Sequence, residues 1–444
     1  MTFHLIGIGG AGMSVVADLL MASGYAVSGS DRDESANVER LRAAGATVHV
    51  GHAAENVPAD SIVVVSSAIK ESNPELAIAR ERGQRVIHRS QALALASGER
   101  DFIAVAGAHG KTSTSGMLAV ALGAAGLDPS WAIGGSLTMP GADGGHVSGG
   151  RLGGGSVLVA EADESDASFL NYRPRVALVT NVEPDHLDHY GSREAFEQAF
   201  LDFAHCIVDG GLLVACADND GSLRLAQAAA AEGIRVWTYG RTPTAVGERH
   251  VQLDGHLVDG VPLDLVVAGA HMLLNAAGAW AVGVELGVDP EVMAKSLGWF
   301  KGTGRRFELR GEVNGVRVVD DYAHHPTEVA ATMGTARDVC DGRVHVLFQP
   351  HLYSRTENFA EAFAAALSKA DEAIVTAVYA AREVPSDGVE GDAIVAHMPR
   401  GRFIEDKVEA AKAIAAGAKP GDLILTMGAG DVTALAPVVL EALK

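Results

Sequence analysis

The first hundred residues alternate between short apolar runs and longer amphipathic segments. The apolar runs are HLIGI, AVSGSD, ATVHV and SIVVVSSA, and stretches such as SVVADLLMASG lie between them. Short β-rich runs separated by segments of helical periodicity are typical of βα units. The pattern therefore predicts an α/β fold with a parallel sheet and helices on both faces.

The same alternation begins again twice further along the chain. The segment ASGERD resembles a linker before FIAVAG, and a third series starts near Gly311 with VRVVDDYA, RVHVLFQP, EAIVTAVYA and DLILTMGAG. We therefore expect three α/β domains, at 1–100, 101–309 and 310–444: a Rossmann-like domain, a central P-loop domain with a parallel sheet, and a second Rossmann-like domain. The glycine-rich segment GADGGHVSGGRLGGGS has no pattern and predicts a mobile surface loop.

Composition and charge exclude several classes of function. The chain has 444 residues and a net charge of −21, which argues against a nucleic-acid partner. Its apolar runs are shorter than the ~18 residues that cross a bilayer, and no signal sequence is recognisable, so we expect a cytoplasmic protein with no membrane partner. Cys206, Cys216 and Cys340 show no metal-binding spacing and are interpreted as buried thiols.

A glycine motif follows the first apolar run. Gly7, Gly9 and Gly12 satisfy G-x-G-x-x-G, and Asp31 ends the next predicted strand. Such a loop lets the backbone approach a diphosphate, and the following helix supplies amide donors. The alternative is a turn that merely closes a βα unit. The motif predicts phosphate binding but leaves the nucleotide open, NAD included.

A second phosphate motif follows FIAVA. Gly107, Gly110, Lys111 and Thr112 stand between a predicted strand and a predicted helix, which is the context of a P-loop. Val105 occupies the place of the first glycine of that motif. Lys111 would reach the γ-phosphate of ATP, and the Thr112 hydroxyl would bind Mg²⁺. A chance G-K-T in a turn is the alternative.

Acidic residues and a histidine end the next two predicted strands. Most of the four acids here, Glu161, Asp163, Glu164 and Asp166, are expected to lie in a solvated loop. Glu161, which is nearest its strand, is the candidate magnesium ligand. His186 lies beside Asp185 at a neighbouring strand end, where a catalytic or metal-binding role outweighs a structural one.

Charged and aromatic residues gather at the start of the third domain. They predict a cleft that closes on nucleotide and substrate, with a surface salt-bridge cluster as the alternative. The residues are Arg305, Arg306, Asp320, Asp321, Tyr322, His324 and His325.

Taken together, the motifs closely resemble those of the Mur ligase family. The matching stretches are GIGGAGMS, VVSSAI, GAHGKTST, EADESDASF, NVEPDHLD, GTGRRF, DDYAHHPTEV and FQPHLYSRT, in family order over nearly the whole chain. The resemblance implies three domains, for a UDP-linked substrate, for ATP and for an amino acid. It also implies that the first glycine loop holds the diphosphate of a UDP-sugar rather than NAD.

The implied activity is ATP-dependent formation of an amide bond in peptidoglycan precursor synthesis. L-alanine would be joined to the lactyl carboxylate of UDP-N-acetylmuramate through an acyl phosphate, with ATP and Mg²⁺ required. A homo-oligomer is compatible with the sequence but not required by it.

The resemblance also implies roles for individual residues. ATP would be bound by Gly107, Ala108, His109, Gly110, Lys111, Thr112, Ser113, Asn275, Arg306 and Asp321. The UDP-substrate would be bound by Gly9, Gly10, Ala11, Gly12, Met13, Ser14, Asp31, Ser66 and Ser67. Tyr322, His324 and Arg355 would face the sugar acid and the amino acid, Lys111, Glu161 and His186 would be catalytic, and the metal ligands would be Thr112, Glu161 and His186.

Three positions refine this interpretation. Met272 and Leu352 depart from the family pattern, the latter replacing a substrate-facing arginine, and Phe200 stands where ligases of later steps carry a carbamylated lysine. A ligase that reattaches recycled tripeptide to the UDP-sugar acid is the first alternative. A NAD-dependent oxidoreductase and a non-catalytic nucleotide-sensing scaffold are the others.

Overall fold

The computed structural model describes residues 1–138, 146, 147, 149–381, 383 and 390–444. Contacts divide the chain into two compact units, one of Met1–Val266 with Leu273–Lys301 and one of Val267–Met272 with Gly302–Lys444. Each large sheet is mainly parallel and is accompanied by helices, so the predicted α/β class with three domains is confirmed. The three domain boundaries given above remain predictions.

The first unit begins with a five-stranded parallel sheet. Its strands are β1 (Thr2–Ile6), β2 (Ala26–Asp31), β3 (Thr47–Val50), β4 (Ser61–Val65) and β5 (Val86–His88), and its helices are α1 (Ala11–Ala22), α2 (Ala36–Ala43), α3 (Pro74–Glu81) and α4 (Arg89–Ser97). The spatial order is β3-β2-β1-β4-β5. The chain reverses its direction of travel between β1 and β4, and ligands of open α/β sheets bind at the carboxyl ends of strands at such a point.

The second sheet of this unit has ten strands, and the strand before the P-loop lies inside it, with a strand on either side. The strands are β6 (Asp101–Ala106), β7 (Ser130–Ala132), β8 (Leu137–Thr138), β9 (His146–Val147), β10 (Gly150–Arg151), β11 (Val157–Glu161), β12 (Val176–Val179), β13 (Leu212–Cys216), β14 (Val236–Gly240), β15 (Arg249–Asp254), β16 (Leu257–Val258) and β17 (Val261–Pro262). The order is β10-β7-β11-β6-β12-β13-β14-β15-β16-β17, with β8 and β9 forming a separate ribbon. The helices are α5 (Lys111–Ala124), α6 (Leu187–Tyr190), α7 (Arg193–His205), α8 (Asp220–Ala231), α9 (Ala270–Glu285) and α10 (Pro290–Leu297).

Part of the glycine-rich segment belongs to this sheet. Gly150 and Arg151 pair antiparallel with β7. A Cβ at Gly153 or Gly155 would lie 2.2 or 1.9 Å from a backbone oxygen of the 127–129 turn, so only glycine permits this close approach. The prediction of a mobile surface loop is therefore wrong for Gly150 and Arg151, which form β10, while 139–145 and 148 lie outside the described residues.

The second unit contains a six-stranded sheet. Its strands are β18 (Glu308–Val313), β19 (Val316–Asp321), β20 (Val344–Phe348), β21 (Glu372–Val375), β22 (Gly401–Phe403) and β23 (Leu423–Met427), in the order β18-β19-β23-β20-β21-β22. Its helices are α11 (Pro326–Val339), α12 (Tyr353–Leu367), α13 (Asp392–Val395), α14 (Lys407–Ala416) and α15 (Ala436–Ala442). Among the residues described, no helix combines the length and the apolar character needed to cross a membrane.

A buried polar network ties the first sheet to α3. The Glu75 carboxylate is fully buried and accepts hydrogen bonds from Ser30 Oγ and Asn56 Nδ2, and His4 Nε2 lies 3.4 Å from it. Burial alone would raise the pKa of Glu75, but the bonds from His4, Ser30 and Asn56 outweigh it and lower the pKa to about 2. The charged carboxylate is thus part of the folded structure.

Acid should weaken the protein through this network. Because the pKa of Glu75 is lower in the folded than in the unfolded chain, its stabilisation is complete above about pH 4.5 and is lost as the pH falls towards 2. We expect Glu75→Gln to cost about 3 kcal/mol at pH 7 and to flatten the dependence of unfolding free energy on pH between 5 and 2. Denaturant unfolding over this pH range measures the effect.

The exposed neighbour Glu71 provides the control, since its side chain is 72% exposed and forms a surface salt bridge with Arg80. Glu71→Gln should change the unfolding free energy by less than about 1 kcal/mol. Equal pH dependence of wild type and Glu75→Gln would refute the role given to Glu75.

Candidate active site

The glycine loop between β1 and α1 is open to a phosphate group. Gly7 has a φ of +79°, which only glycine adopts without strain, and the N-cap residue of α1 is Gly10, which offers no capping side chain. The first amide N–H groups of α1 therefore lack both an intrahelical partner and a capping side chain. The arrangement can bind an anion at the helix N-terminus.

The predicted UDP-binding residues surround this loop. Asp31 accepts a hydrogen bond of 2.8 Å from the Gly9 amide, so its carboxylate fixes the loop. Ser66 and Ser67 follow β4, which is paired with β1, and thus lie at the same sheet edge. Met13 and Ser14 are buried in α1, and of Ala11 only the backbone is described.

The P-loop between β6 and α5 is held by the end of β12. A Cβ at Gly107 would lie 2.2 Å from Thr180 Oγ1, and the His109 amide donates to Asn181 Oδ1 at 3.0 Å. Gly110 has a φ of +82° and is the N-cap residue of α5, so no side chain caps this helix. Thr180 and Asn181 were missed by the sequence analysis, although their place after a strand adjacent to β6 could have pointed to them.

Lys111 is held in a buried ion pair. Its Nζ donates to Glu164 Oε1 at 2.9 Å and to the backbone oxygen of Gly107 at 2.6 Å. Burial lowers the pKa of Lys111, but the charges of Glu164 and Asp163 outweigh it and raise the pKa overall. The expectation that Glu164 lies in a solvated loop is wrong, because its side chain is only 2% exposed.

Asn275 on α9 points at the mouth of the P-loop. Its Oδ1 and Nδ2 lie 3.1 and 3.3 Å from where a Cβ of Gly110 would be, and only 8% of the residue is exposed. Among the described residues, no hydrogen bond reaches this side chain. A buried amide without a partner costs free energy, so Asn275 is suited to receive a ligand at this loop. Met272, one turn earlier, is buried.

The three predicted metal ligands come from adjacent parts of one sheet. β11, β6 and β12 are neighbours, so Glu161 at the end of β11, Thr112 beyond β6 and His186 beyond β12 follow the same sheet edge. Glu161 Oε1 accepts from the Gly134 amide at 2.9 Å. His186 has a φ of +52°, and its amide donates to Asp185 Oδ1.

In the second unit, the charged cluster includes the buried residues Asp320, Asp321 and His325 and is therefore not a network of surface salt bridges. Asp321 ends β19 and accepts from the amides of Phe307 and Ala323 at 2.7 and 2.8 Å. Burial raises its pKa to about 6, against the lowering effect of the Arg306 charge. Arg306 lies over the ring of Tyr322, 5.1 Å from its centroid.

Arg305 and Asp320 stabilise the fold around this cluster. Asp320 is fully buried, and Arg305 Nε lies 3.4 Å from it while Arg305 Nη2 donates to the Gly428 oxygen at 2.7 Å. His324 packs edge-on against Tyr322, and burial lowers its pKa to about 3, so the ring is neutral near pH 7. His325 caps α11.

Arg355 and Leu352 lie at the start of α12. Arg355 is 6% exposed, and its charge contributes to lowering the pKa of His324, after burial and against the opposing charge of Glu328. Leu352 is 8% exposed, with a φ of +69° that L side chains rarely adopt.

Family models match the chain in three consecutive segments. They are described as the Mur ligase family catalytic domain over residues 2–100, the Mur ligase middle domain over 105–283, and the Mur ligase glutamate ligase domain over 305–430.

Relatives and solved structures agree with these matches. UDP-N-acetylmuramate–L-alanine ligases of Renibacterium salmoninarum and Kineococcus radiotolerans are 51% and 54% identical, over 99% of this chain and 95% and 96% of theirs. The UDP-N-acetylmuramate–alanine ligase of Thermotoga maritima superposes with a TM-score of 0.76 at 28% identity, covering 99% of this chain and 98% of that one. A murein peptide ligase from Psychrobacter arcticus gives a TM-score of 0.68 at 26% identity, covering 100% and 98%. The chain belongs to the Mur ligase family of ATP-dependent ligases.

Proposed function

We propose that this protein joins L-alanine to the lactyl carboxylate of UDP-N-acetylmuramate, with hydrolysis of ATP to ADP and phosphate, in peptidoglycan precursor synthesis. The observation that carries the proposal is the full-length identity of about half to relatives that all bear this one activity in their names. The P-loop with its ion-paired Lys111 supports ATP as the nucleotide, as does Asn275 beside it, whose side chain has no hydrogen-bond partner among the described residues.

The chemistry balances in two steps. A lactyl carboxylate oxygen attacks the γ-phosphorus of ATP, ADP leaves, and an acyl phosphate forms. The amine of alanine then attacks the carbonyl carbon, the tetrahedral intermediate expels phosphate, and the amine loses a proton to solvent. Because the reacting groups are anions, the protein contributes mainly positioning and charge neutralisation.

We assign roles to the described residues on this basis. Lys111 and the amides of residues 107–113 hold the β- and γ-phosphates, and the glycine loop holds the diphosphate of the UDP-sugar. Arg306 and Asp321 contact ATP, whereas Tyr322 and His324 face the sugar acid. Arg355 pairs with the alanine carboxylate, for which a planar guanidinium is suited. We place the protein in the cytoplasm, as a monomer or a homo-oligomer.

We also propose that Mg²⁺ binds at Thr112, Glu161 and His186. The donor set fits, because a hydroxyl and a carboxylate are oxygen ligands and, within the described part of the chain, no hydrogen bond occupies the Thr112 side chain. Bound Mg²⁺ would neutralise charge on the phosphates as they approach the carboxylate.

His186→Ala should raise the Mg²⁺ concentration for half-maximal activity by about tenfold or more, since even supporting groups of a metal site contribute this much. Titration of Mg²⁺ in the activity assay measures the shift in metal requirement. Titration of Mn²⁺, followed by its paramagnetic effect on water relaxation, measures metal binding directly. The exposed His256 provides the control, and His256→Ala should leave both titrations unchanged. An unaltered metal requirement in His186→Ala would make His186 a structural residue.

Leu352→Arg should strengthen binding of the UDP-sugar acid. A charge-assisted bond contributes about 1.5–3 kcal/mol, so the KM for UDP-N-acetylmuramate should fall roughly ten- to a hundredfold while the KM for ATP stays unchanged. Since the position is buried, the unliganded variant should melt earlier and gain more than wild type from this substrate. Leu352→Met is the uncharged control. A general loss of activity would show that the pocket excludes an arginine.

The choice of amine separates this proposal from the tripeptide-recycling alternative. Phosphate release from ATP is measured with UDP-N-acetylmuramate and either L-alanine or the L-alanyl-γ-D-glutamyl-diaminopimelate tripeptide. Release with L-alanine supports the proposal, and release with the tripeptide alone overturns it. An oxidoreductase would change the nicotinamide absorbance when NAD is supplied. Absence of any such change therefore rejects the oxidoreductase alternative.

A further inference from the structure

The side chain of Arg89 lies directly on the glycine loop. Arg89 is the first residue of α4, and a Cβ built at Gly12 would lie 2.0 Å from Arg89 Nη1 and 3.2 Å from its Cζ. The guanidinium therefore covers the Cα of Gly12 in the first turn of α1. Glycine at position 12 makes room for an arginine as well as for a phosphate.

This is an unfavourable place for a cation without an anionic ligand. Arg89 stands at the N-terminus of α4 and against the N-terminus of α1, and both helix ends carry partial positive charge. In the parts of the chain that the structure describes, its guanidinium makes no hydrogen bond and no ion pair. The acid on which its charge acts is Asp163. Asp166 Oδ2 lies 3.7 Å from Nε2 of the adjacent His88.

Arg89 is also close to both sheets of the first unit. Its guanidinium lies on the glycine loop, and its charge acts on Asp163, two residues beyond β11. The helices α1 and α4 accompany the five-stranded sheet that carries the glycine loop. Glu161 ends β11 and Lys111 follows β6, and both of these strands belong to the other sheet of the unit. A substrate anchored on the loop and reacting at the P-loop would pass this guanidinium.

We propose that Arg89 binds the diphosphate of the nucleoside-diphosphate substrate, together with the amides of the glycine loop. The proposal rests on the proposed function, since it adds a residue to that substrate's site. A planar fork can hold two phosphate oxygens at once, and the partial charges of two helix ends add to its attraction. The unpaired guanidinium then gains a counter-ion only in the substrate complex.

The test uses UDP as the probe on the full-length protein, by titration calorimetry, with uridine as the ligand that lacks phosphates. Arg89→Gln should weaken UDP binding roughly ten- to a hundredfold and leave uridine binding unchanged. Arg89→Lys, which keeps the charge but not the fork, should show a smaller loss. Arg100→Gln, at the far end of α4 where the side chain contacts backbone oxygens, is the matched control and should bind UDP as wild type does.

The kinetic readout separates binding from a structural role. Arg89→Gln should raise the KM for UDP-N-acetylmuramate by the same factor and leave the KM for ATP unchanged. UDP affinity of Arg89→Gln within twofold of wild type overturns the proposal, and so does an equal loss of uridine and UDP binding. Ligation of alanine by such a variant would leave the proposed function standing, whereas failure of wild type to bind UDP would overturn both.

Discussion

Lys111→Ala should abolish ATP-dependent ligation while binding of the UDP-substrate survives. Lys111 begins α5 at the P-loop, whereas the glycine loop belongs to the other sheet of the first unit. Loss of a charged donor to the transferring phosphoryl group costs about 2.7–4 kcal/mol in the transition state, or at least a hundredfold in kcat. Turnover and calorimetric titration with UDP, on the same preparation, measure the two parts of the prediction.

Lys295→Ala is the control for this experiment, because it removes the same charge from an exposed position on α10 of the same unit. Its turnover should match wild type. Lys111→Ala also removes the counter-charge of Glu164, so the fold of the variant is checked by circular dichroism before turnover is compared. Near-normal turnover in a folded Lys111→Ala variant would show that the loop is not a phosphate site.

The Lys111–Glu164 pair should also show strong energetic coupling in the unliganded protein. Glu164→Gln removes the carboxylate that pairs with the largely buried Lys111 ammonium, and Lys111→Met leaves the buried Glu164 carboxylate without its counter-charge. Removing one partner of a buried ion pair costs about 3–5 kcal/mol, whereas replacing both partners costs much less. The double variant should therefore melt at a higher temperature than Glu164→Gln.

Thermal unfolding of wild type, both single variants and the double variant completes the cycle without any nucleotide. Each single change should lower the melting temperature, and the double variant should recover much of the loss. Strictly additive losses would mean that the two charges do not stabilise each other. The salt bridge between Arg193 and Glu197, whose side chains are 54% and 27% exposed, is the surface pair for comparison and should show little coupling.

The fold could largely be predicted from the sequence because its signals are local. An apolar run, a glycine and an amphipathic segment define each βα unit, and both phosphate loops lie after the predicted strands. The glycine-rich segment misled for a physical reason. The backbone at Gly153 and Gly155 lies so close to a neighbouring turn that a side chain would not fit. Composition alone does not distinguish glycines of this kind from those of a flexible loop.

The partners within the site could not be predicted in the same way. Of four acids after one strand, only Glu164 turns inward to Lys111, and this depends on the pairing of β11 with β6. Arg89 is far from Gly12 in sequence and is brought to it by the packing of α4 on α1. Spacing along the chain indicates which chemistry is present, but sheet order determines which side chains meet.

The central claim is that a carboxylate is activated by ATP and then captured by L-alanine. The most direct test supplies UDP-N-acetylmuramate with ¹⁸O in both lactyl carboxylate oxygens, together with ATP, Mg²⁺ and L-alanine, and follows the products by mass spectrometry. Through an acyl phosphate, each alanyl product retains one ¹⁸O in its amide and each released phosphate carries the other. Phosphate without ¹⁸O, or labelled substrate that gains no alanine while ATP is consumed, would contradict the account.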